Sequence, residues 1–193
     1  MPDNEETQPH NPPRADEKTR LHETHCDPCG DATLISNDGV EFRASSFQLS
    51  KISKFFSDAV SLPPPPQSTQ LSHQPIHLDY SENILSIFLD LTALPETYHG
   101  TKLVRIQDPR VLGKLLDLSE LALCDDFSSI ICSSLNDISK RYPLATLIIA
   151  SKRDDFSLIE HVMRHIALNP DREYVAEDWS MLSDMISIQL NHI

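Results

Sequence analysis

Apolar side chains recur at intervals of three and four residues along most of the chain, and this spacing most constrains what the chain can fold into. The interval matches the period of an α-helix, so it predicts amphipathic helices that each bury one face. Paired acids at residues 125–126 and 154–155 lie at predicted helix ends, where carboxylates cap helices and favour the positive end of the dipole. The predicted helices begin near Ser81, Asp108-Pro109, Phe127, Pro143, the Ser157-x-x-Glu160 capping box and Trp179.

The early part of the chain has the shorter runs that are typical of strands. Asn37-Asp38-Gly39 supplies residues that tolerate positive φ, so it predicts the tight turn of a hairpin. A helical stripe over residues 47–60, interrupted near residues 50–53, predicts two short helices set at an angle. A few early strands followed by helices predict the α+β class. The predicted strands are residues 32–36, 40–44, 75–78 and 103–106.

The ends of the chain and one internal segment differ in composition from this pattern. Residues 1–29 are acidic and rich in proline, and they hold few large aliphatic side chains, which predicts a disordered tail. Pro63 to Pro66 exclude helix and predict a surface loop that extends to residue 74. We therefore expect a tail over residues 1–29, with the folded part of the chain after it.

Charge and glycine content exclude several functional classes. Sixteen Lys and Arg against 29 Asp and Glu give a net charge of −13, which repels nucleic acid and anionic membranes. The four glycines are isolated, and no phosphate-binding, nucleophile-elbow or zinc-protease motif occurs, so neither an enzyme nor a cofactor is predicted. The apolar run at residues 144–150 is far shorter than the roughly 20 residues of a membrane helix. Met1 leads into an acidic segment without a signal peptide, which predicts an intracellular protein of the cytoplasm or nucleus.

A cluster of histidine and cysteine near the N-terminus is the weak candidate for a metal site. His22, His25, Cys26 and Cys29 are all chemically suited to bind zinc. Structural zinc sites, however, usually separate two ligand pairs by a longer loop, whereas His25 and Cys26 are adjacent. We therefore predict reduced thiols and no bound metal, with a zinc-binding or thiol enzyme as an alternative from another class.

The order of motifs from residue 31 resembles the opening of a BTB/POZ domain. Residues 76–78, 84–91 and 118–127 also follow the order of that family, and residues 142–168 resemble the helical extension of fungal BTB proteins. The matching opening motifs are Asp31-Ala32-Thr33-Leu34, Asp38-Gly39-Val40, Phe42-Arg43-Ala44, Leu49, Ser53 and Phe56.

The resemblance implies a BTB/POZ-like core over residues 30–139, with a small early sheet flanked by helices, followed by an all-helical extension over residues 140–193. It implies a protein–protein interaction module that forms a homodimer and recruits protein partners. It places Asp31 and Ser46 at the cleft between two copies, and it makes Phe47, Phe55 and Ala59 the candidate interface.

Some members of this family dock corepressors and others bind cullin-type scaffolds, and this chain lacks the sequence features of both roles. Ser46 replaces the basic residue that repressor-type relatives carry, so corepressor docking of that kind is not expected. A substrate adaptor that binds a cullin-type scaffold of a ubiquitin ligase is an alternative. Residues 63–74 lack the hydrophobic-x-Glu signal of cullin-binding relatives, which argues against this alternative.

Overall fold

A computed structural model describes residues 19–61, 75–103 and 105–169. The predicted loop at residues 63–74, the predicted helix from Trp179 and the first 18 residues of the predicted tail lie outside these ranges. The strands are β1 (Arg20–Cys26), β2 (Ala32–Ile35), β3 (Val40–Ala44) and β4 (Ile76–His77). The helices are α1 (Ser46–Ile52), α2 (Lys54–Ser61), α3 (Glu82–Ala93), α4 (Glu96–Leu103), α5 (Pro109–Leu121), α6 (Asp125–Ile138), α7 (Pro143–Lys152) and α8 (Phe156–Leu168).

The four strands form one sheet in the order β1-β3-β2-β4. Strands β2 and β3 pair antiparallel as the predicted hairpin, and Gly39 in its turn has φ of 76°. Strand β4 pairs parallel to β2, which confirms the third predicted strand. A small sheet followed by several helices confirms the α+β class at a coarse level. Within the described residues, none of the helices combines the length and the apolar character needed to cross a bilayer.

The hairpin turn gives a direct test of the fold. We expect Gly39→Ala to lower the free energy of unfolding by about 1–2 kcal/mol, because a side chain disfavours this left-handed backbone conformation. A Cβ at Gly39 would meet no atom within 4 Å, so the loss would come from the backbone and not from a clash. Urea denaturation measures it. Gly100→Ala is the matched control, since a Cβ there also meets nothing within 4 Å, and α4 should tolerate alanine. Equal effects at the two positions would contradict the turn.

Two predictions about strands are corrected. Residues 103–106 do not form an edge strand. Helix α4 runs to Leu103, which is buried, and the N–H groups of Arg105 and Ile106 then bond back to carbonyls of the last helical turn. The tail predicted as disordered to residue 29 contains β1, which pairs parallel to β3. An edge strand obtains its backbone partners from the sheet, so it needs few aliphatic side chains of its own.

The core holds side chains from both the sheet and the helices, and α3 contributes five of them. Phe88 of α3 is 1% exposed, and its ring lies 6.5 Å from that of Phe56 and 6.1 Å from that of Phe127. The same buried cluster continues into the C-terminal helices, where it includes Leu158 and Val162 of α8. The core therefore connects the early hairpin with the helical extension.

Candidate functional site

The two residues expected at a cleft between copies, Asp31 and Ser46, are hydrogen-bonded to each other. The backbone N–H of Ser46 donates to Asp31 Oδ1 at 2.7 Å, and its hydroxyl donates to Asp31 Oδ2 at 2.5 Å. Ser46 is the first residue of α1, where backbone N–H groups have no partner within the helix. Both oxygens of Asp31 therefore serve to fix the start of α1 against the start of β2.

The three other candidate interface residues differ in exposure. Phe47, in the first turn of α1, has 75% of its surface exposed. Phe55 is half-buried and packs edge-on against Phe56, with ring centroids 5.1 Å apart. Ala59 is also half-buried. Because an exposed aromatic side chain is a typical anchor of a protein interface, Phe47 is the strongest of the three candidates.

Phe47 borders a cavity of about 890 Å³ that we call the α1 cavity. Its walls come from α1, from the end of α3 with the following turn, and from the turn between α5 and α6. On that last turn Leu123 is 53% exposed and has φ of 54°, a backbone conformation that leucine seldom adopts. The turn therefore holds an apolar side chain at the rim of the cavity.

A buried histidine lies in the wall of the α1 cavity. His99 is 2% exposed, and its ring meets that of Phe127 edge-on at 4.7 Å. Its Nε2 lies 2.9 Å from the carbonyl oxygen of Leu94, which assigns the proton to this nitrogen. The other ring nitrogen, Nδ1, is buried and has no hydrogen-bond partner in the described part of the chain.

The predicted histidine and cysteine cluster is not assembled around one point. His22 and His25 both lie over Phe42, with ring centroids 4.6 and 6.1 Å from it. Cys29 is exposed, and the thiol of Cys26 contacts the carbonyl oxygen of Glu23. Across residues 19–61, 75–103 and 105–169, no three His, Cys, Asp or Glu side chains are grouped to hold a metal ion.

The remaining cysteines lie in or against the core. Cys124 is buried and Cys132 is half-buried. Burial raises the pKa of Cys124 to about 11, because the charged thiolate loses its hydration there. Burial also raises the pKa of Cys132. Both thiols are therefore protonated near neutral pH, which is the opposite of what a nucleophilic cysteine needs.

Sequence reasoning identified Phe47 but missed the other parts of the α1 cavity. The helix that begins at Asp108-Pro109 was expected to end near residues 124–126, so nothing in the sequence signalled the positive φ of Leu123. His99 lies four residues before Leu103, and both are buried, so their spacing on a helix was the available signal. The chain matches no protein-family model, and no curated protein is significantly similar to it.

Proposed function

We propose that the chain is a protein–protein interaction module of the BTB/POZ type that self-associates as a homodimer and recruits protein partners. The observation that carries the proposal is the 75% exposure of Phe47 at the rim of the α1 cavity. The order of hairpin, two short helices, short parallel strand and longer helix α3 supports the resemblance to that family.

Burial of apolar surface would drive the association. Leaving a large aromatic ring in water forgoes about 1.5–3 kcal/mol of the free energy that its burial supplies. Leu123, which is 53% exposed, adds a second apolar side chain at the same rim. In protein interfaces the apolar anchors lie at the buried centre and polar residues surround them, so Phe47 and Leu123 would occupy the centre of the contact.

The charged side chains around the cavity would select which surfaces dock there. Asp125 and Asp126 lie on the α6 side, and Lys51 lies on the α1 side. All three are exposed. A partner with a cationic group opposite the two acids and an acceptor opposite Lys51 would be favoured over one with the reverse arrangement.

A charge placed at Phe47 tests the proposal. We expect Phe47→Asp to raise the dissociation constant of the homodimer by at least about 30-fold, because losing one aromatic anchor typically costs about 2 kcal/mol and a two-fold dimer carries the change twice. Sedimentation velocity over a concentration series measures that constant.

The matched control is Phe156→Asp. Phe156 is also 75% exposed, but it lies at the start of α8 and does not border the α1 cavity. The proposal predicts that this variant dimerises like the wild type. Equal weakening by both variants, or none by Phe47→Asp, would contradict an interface at Phe47.

A further inference from the structure

Helix α8 carries a wider apolar surface than the core covers. Successive residues of a helix are about 100° apart, so all the apolar side chains of α8 except Leu168 fall on about half of its circumference, with no polar one among them. A stripe of about 100° is enough for a helix that packs on a single core. The width of this surface therefore indicates a second packing partner. In order around the helix it holds Leu158, Val162, Ile166, Ile159, Met163, Phe156 and Ala167, of which the first two are buried.

The exposed part of this surface centres on Met163. Met163 is 50% exposed, whereas Ile159 and Ile166 beside it are half-buried against the core. We call these three residues the outer strip of α8. At the usual helical rise of about 1.5 Å per residue, the outer strip runs for about 10 Å. Beyond Met163, Glu160 and Arg164 pair with each other at 2.5 Å, so a charged border limits the apolar surface on that side.

The chain itself supplies a segment that matches the outer strip. Residues 179–190, whose predicted helix lies outside the described ranges, contain one charged residue, Asp184. Their apolar stripe from Trp179 to Ile186 spans as many residues as the outer strip, so the two are equally long on a helix. A helix of this length is only marginally stable alone in water, so it needs an apolar surface to pack against. The stripe consists of Trp179, Leu182, Met185 and Ile186.

The length of chain between α8 and this segment allows the two to meet. Helix α8 ends at Leu168, and residues 170–178 can span up to about 30 Å before the stripe begins. Packed helices lie only about 8–10 Å apart, so the chain has room to reverse its direction. An antiparallel arrangement would place Trp179 beside Ile166 and Ile186 beside Ile159. Phe156 lies about one turn before Ile159, and it is therefore outside this contact.

We propose that the outer strip of α8 is the docking site for residues 179–186 of the same chain, which pack there as an antiparallel helix. Burial of apolar area on both sides supplies the free energy of docking. Because the segment is joined to α8 by a short linker, its effective concentration at the strip is high, and a small contact area is sufficient. The outer strip does not border the α1 cavity, so docking does not depend on the homodimer.

The fluorescence of Trp179 tests the docking, because this residue is the one tryptophan of the chain. Indole emits at a shorter wavelength when its ring leaves water, so the native full chain should emit at a shorter wavelength than the chain unfolded in urea. Met163→Asp places a charge in the middle of the outer strip, and it should shift the native emission to the wavelength found in urea. Ser157→Asp is the matched control, since Ser157 is exposed on the other side of α8. It should keep the wild-type emission.

A second pair of variants tests the same contact from the segment. Ile186 belongs to the apolar stripe, and Ser187 lies about 100° from it around the helix. Ile186→Asp should shift the emission in the same way as Met163→Asp, whereas Ser187→Asp should keep the wild-type emission. Both substitutions lie outside the helices and strands that form the core. They therefore test the docking even if Met163→Asp fails to fold.

Three results would overturn the docking. One is a native emission at the wavelength found in urea, and another is wild-type emission in folded Met163→Asp or in Ile186→Asp. The third is a native emission that changes with protein concentration, because this would place the segment on a second copy of the chain. Phe47→Asp should keep the wild-type emission, since the docking site lies within one chain. Failure of the homodimer and failure of the docking are therefore distinguishable.

Discussion

Replacing Phe88 by alanine is expected to lower the free energy of unfolding by about 3–5 kcal/mol, the usual loss for a phenylalanine that is truncated in a core. Phe88 is 1% exposed and lies between the rings of Phe56 and Phe127. These two residues belong to α2 and α6, so the ring of Phe88 connects helices from both halves of the chain. Removing the ring of Phe88 would leave a cavity, and side chains of both α2 and α6 would lose packing contacts there.

Chemical denaturation followed by circular dichroism measures this loss. Phe156→Ala is the control, because it removes the same atoms from a side chain that is 75% exposed. We expect the control to change stability by about 0.5 kcal/mol or less, as surface substitutions usually do. If the two variants unfolded at the same denaturant concentration, the burial of Phe88 in the core would be wrong.

The second large effect is expected at Asp31. Asp31→Ala should lower the free energy of unfolding by about 1.5–3 kcal/mol, the range for hydrogen bonds to a charged group. The substitution removes at least the two bonds that Asp31 accepts from Ser46, and it leaves a hydroxyl on a residue that is 7% exposed. One of these two bonds comes from the backbone N–H of Ser46, the first of α1, which would be left without this acceptor.

Ser45→Ala provides the comparison, because Ser45 is the N-cap of the same helix. Its hydroxyl accepts a longer bond of 3.4 Å from the N–H of Gln48. We therefore expect a smaller loss of stability, at the lower end of the roughly 0.5–2 kcal/mol that N-cap serines contribute. A larger loss in Ser45→Ala than in Asp31→Ala, measured by urea denaturation, would show that Asp31 does not hold the start of α1.

Local spacing predicted most of the helices and the hairpin, because those elements depend on residues close in sequence. Gly39 in the turn and Asp108-Pro109 at the start of α5 signal their conformations directly, and the Asp108 carboxylate accepts the N–H of Arg110. The predicted break between two helices near residues 50–53 is also confirmed, since α1 ends at Ile52 and α2 begins at Lys54. Ser53 there is buried, and its hydroxyl donates to the carbonyl oxygen of Ala122 at 2.5 Å.

Helix ends that depend on competing side chains were predicted less well. Helix α8 begins at Phe156, and the carboxylate of Asp155 accepts the N–H of Leu158. The predicted capping box at Ser157 is therefore wrong, and the predicted capping by the acids at residues 154–155 is confirmed. At α3, Ser81 occupies the N-cap but its side chain makes no capping bond. The carboxylate of Asp38 accepts the N–H of Glu82 at 3.0 Å instead.

The elements that the sequence could not predict depend on contacts across the fold. Strand β1 was read as part of a tail because Leu21 is its one large aliphatic residue, and the structure leaves Leu21 44% exposed. The buried side chain is His22, which stacks on Phe42. A histidine that replaces an aliphatic residue on the inner face leaves no alternating pattern to find.

At the candidate site, too, the sequence predicted the feature that depends on neighbouring residues and did not predict the one that depends on distant residues. Helical spacing placed Phe47 on α1, and its exposure agrees with a surface anchor. The α1 cavity also requires the end of α3 and the turn between α5 and α6, which lie far apart in sequence. No periodicity within one segment could have predicted that these three parts share one surface.

The mass of the full chain in solution tests the central claim, self-association, most directly. Light scattering after gel filtration at micromolar concentration should give about twice the 21.8 kDa of one chain. The Phe47→Asp variant, run at the same concentration, should shift toward the mass of one chain. A wild-type mass of one chain across the whole concentration range would contradict a self-associating module.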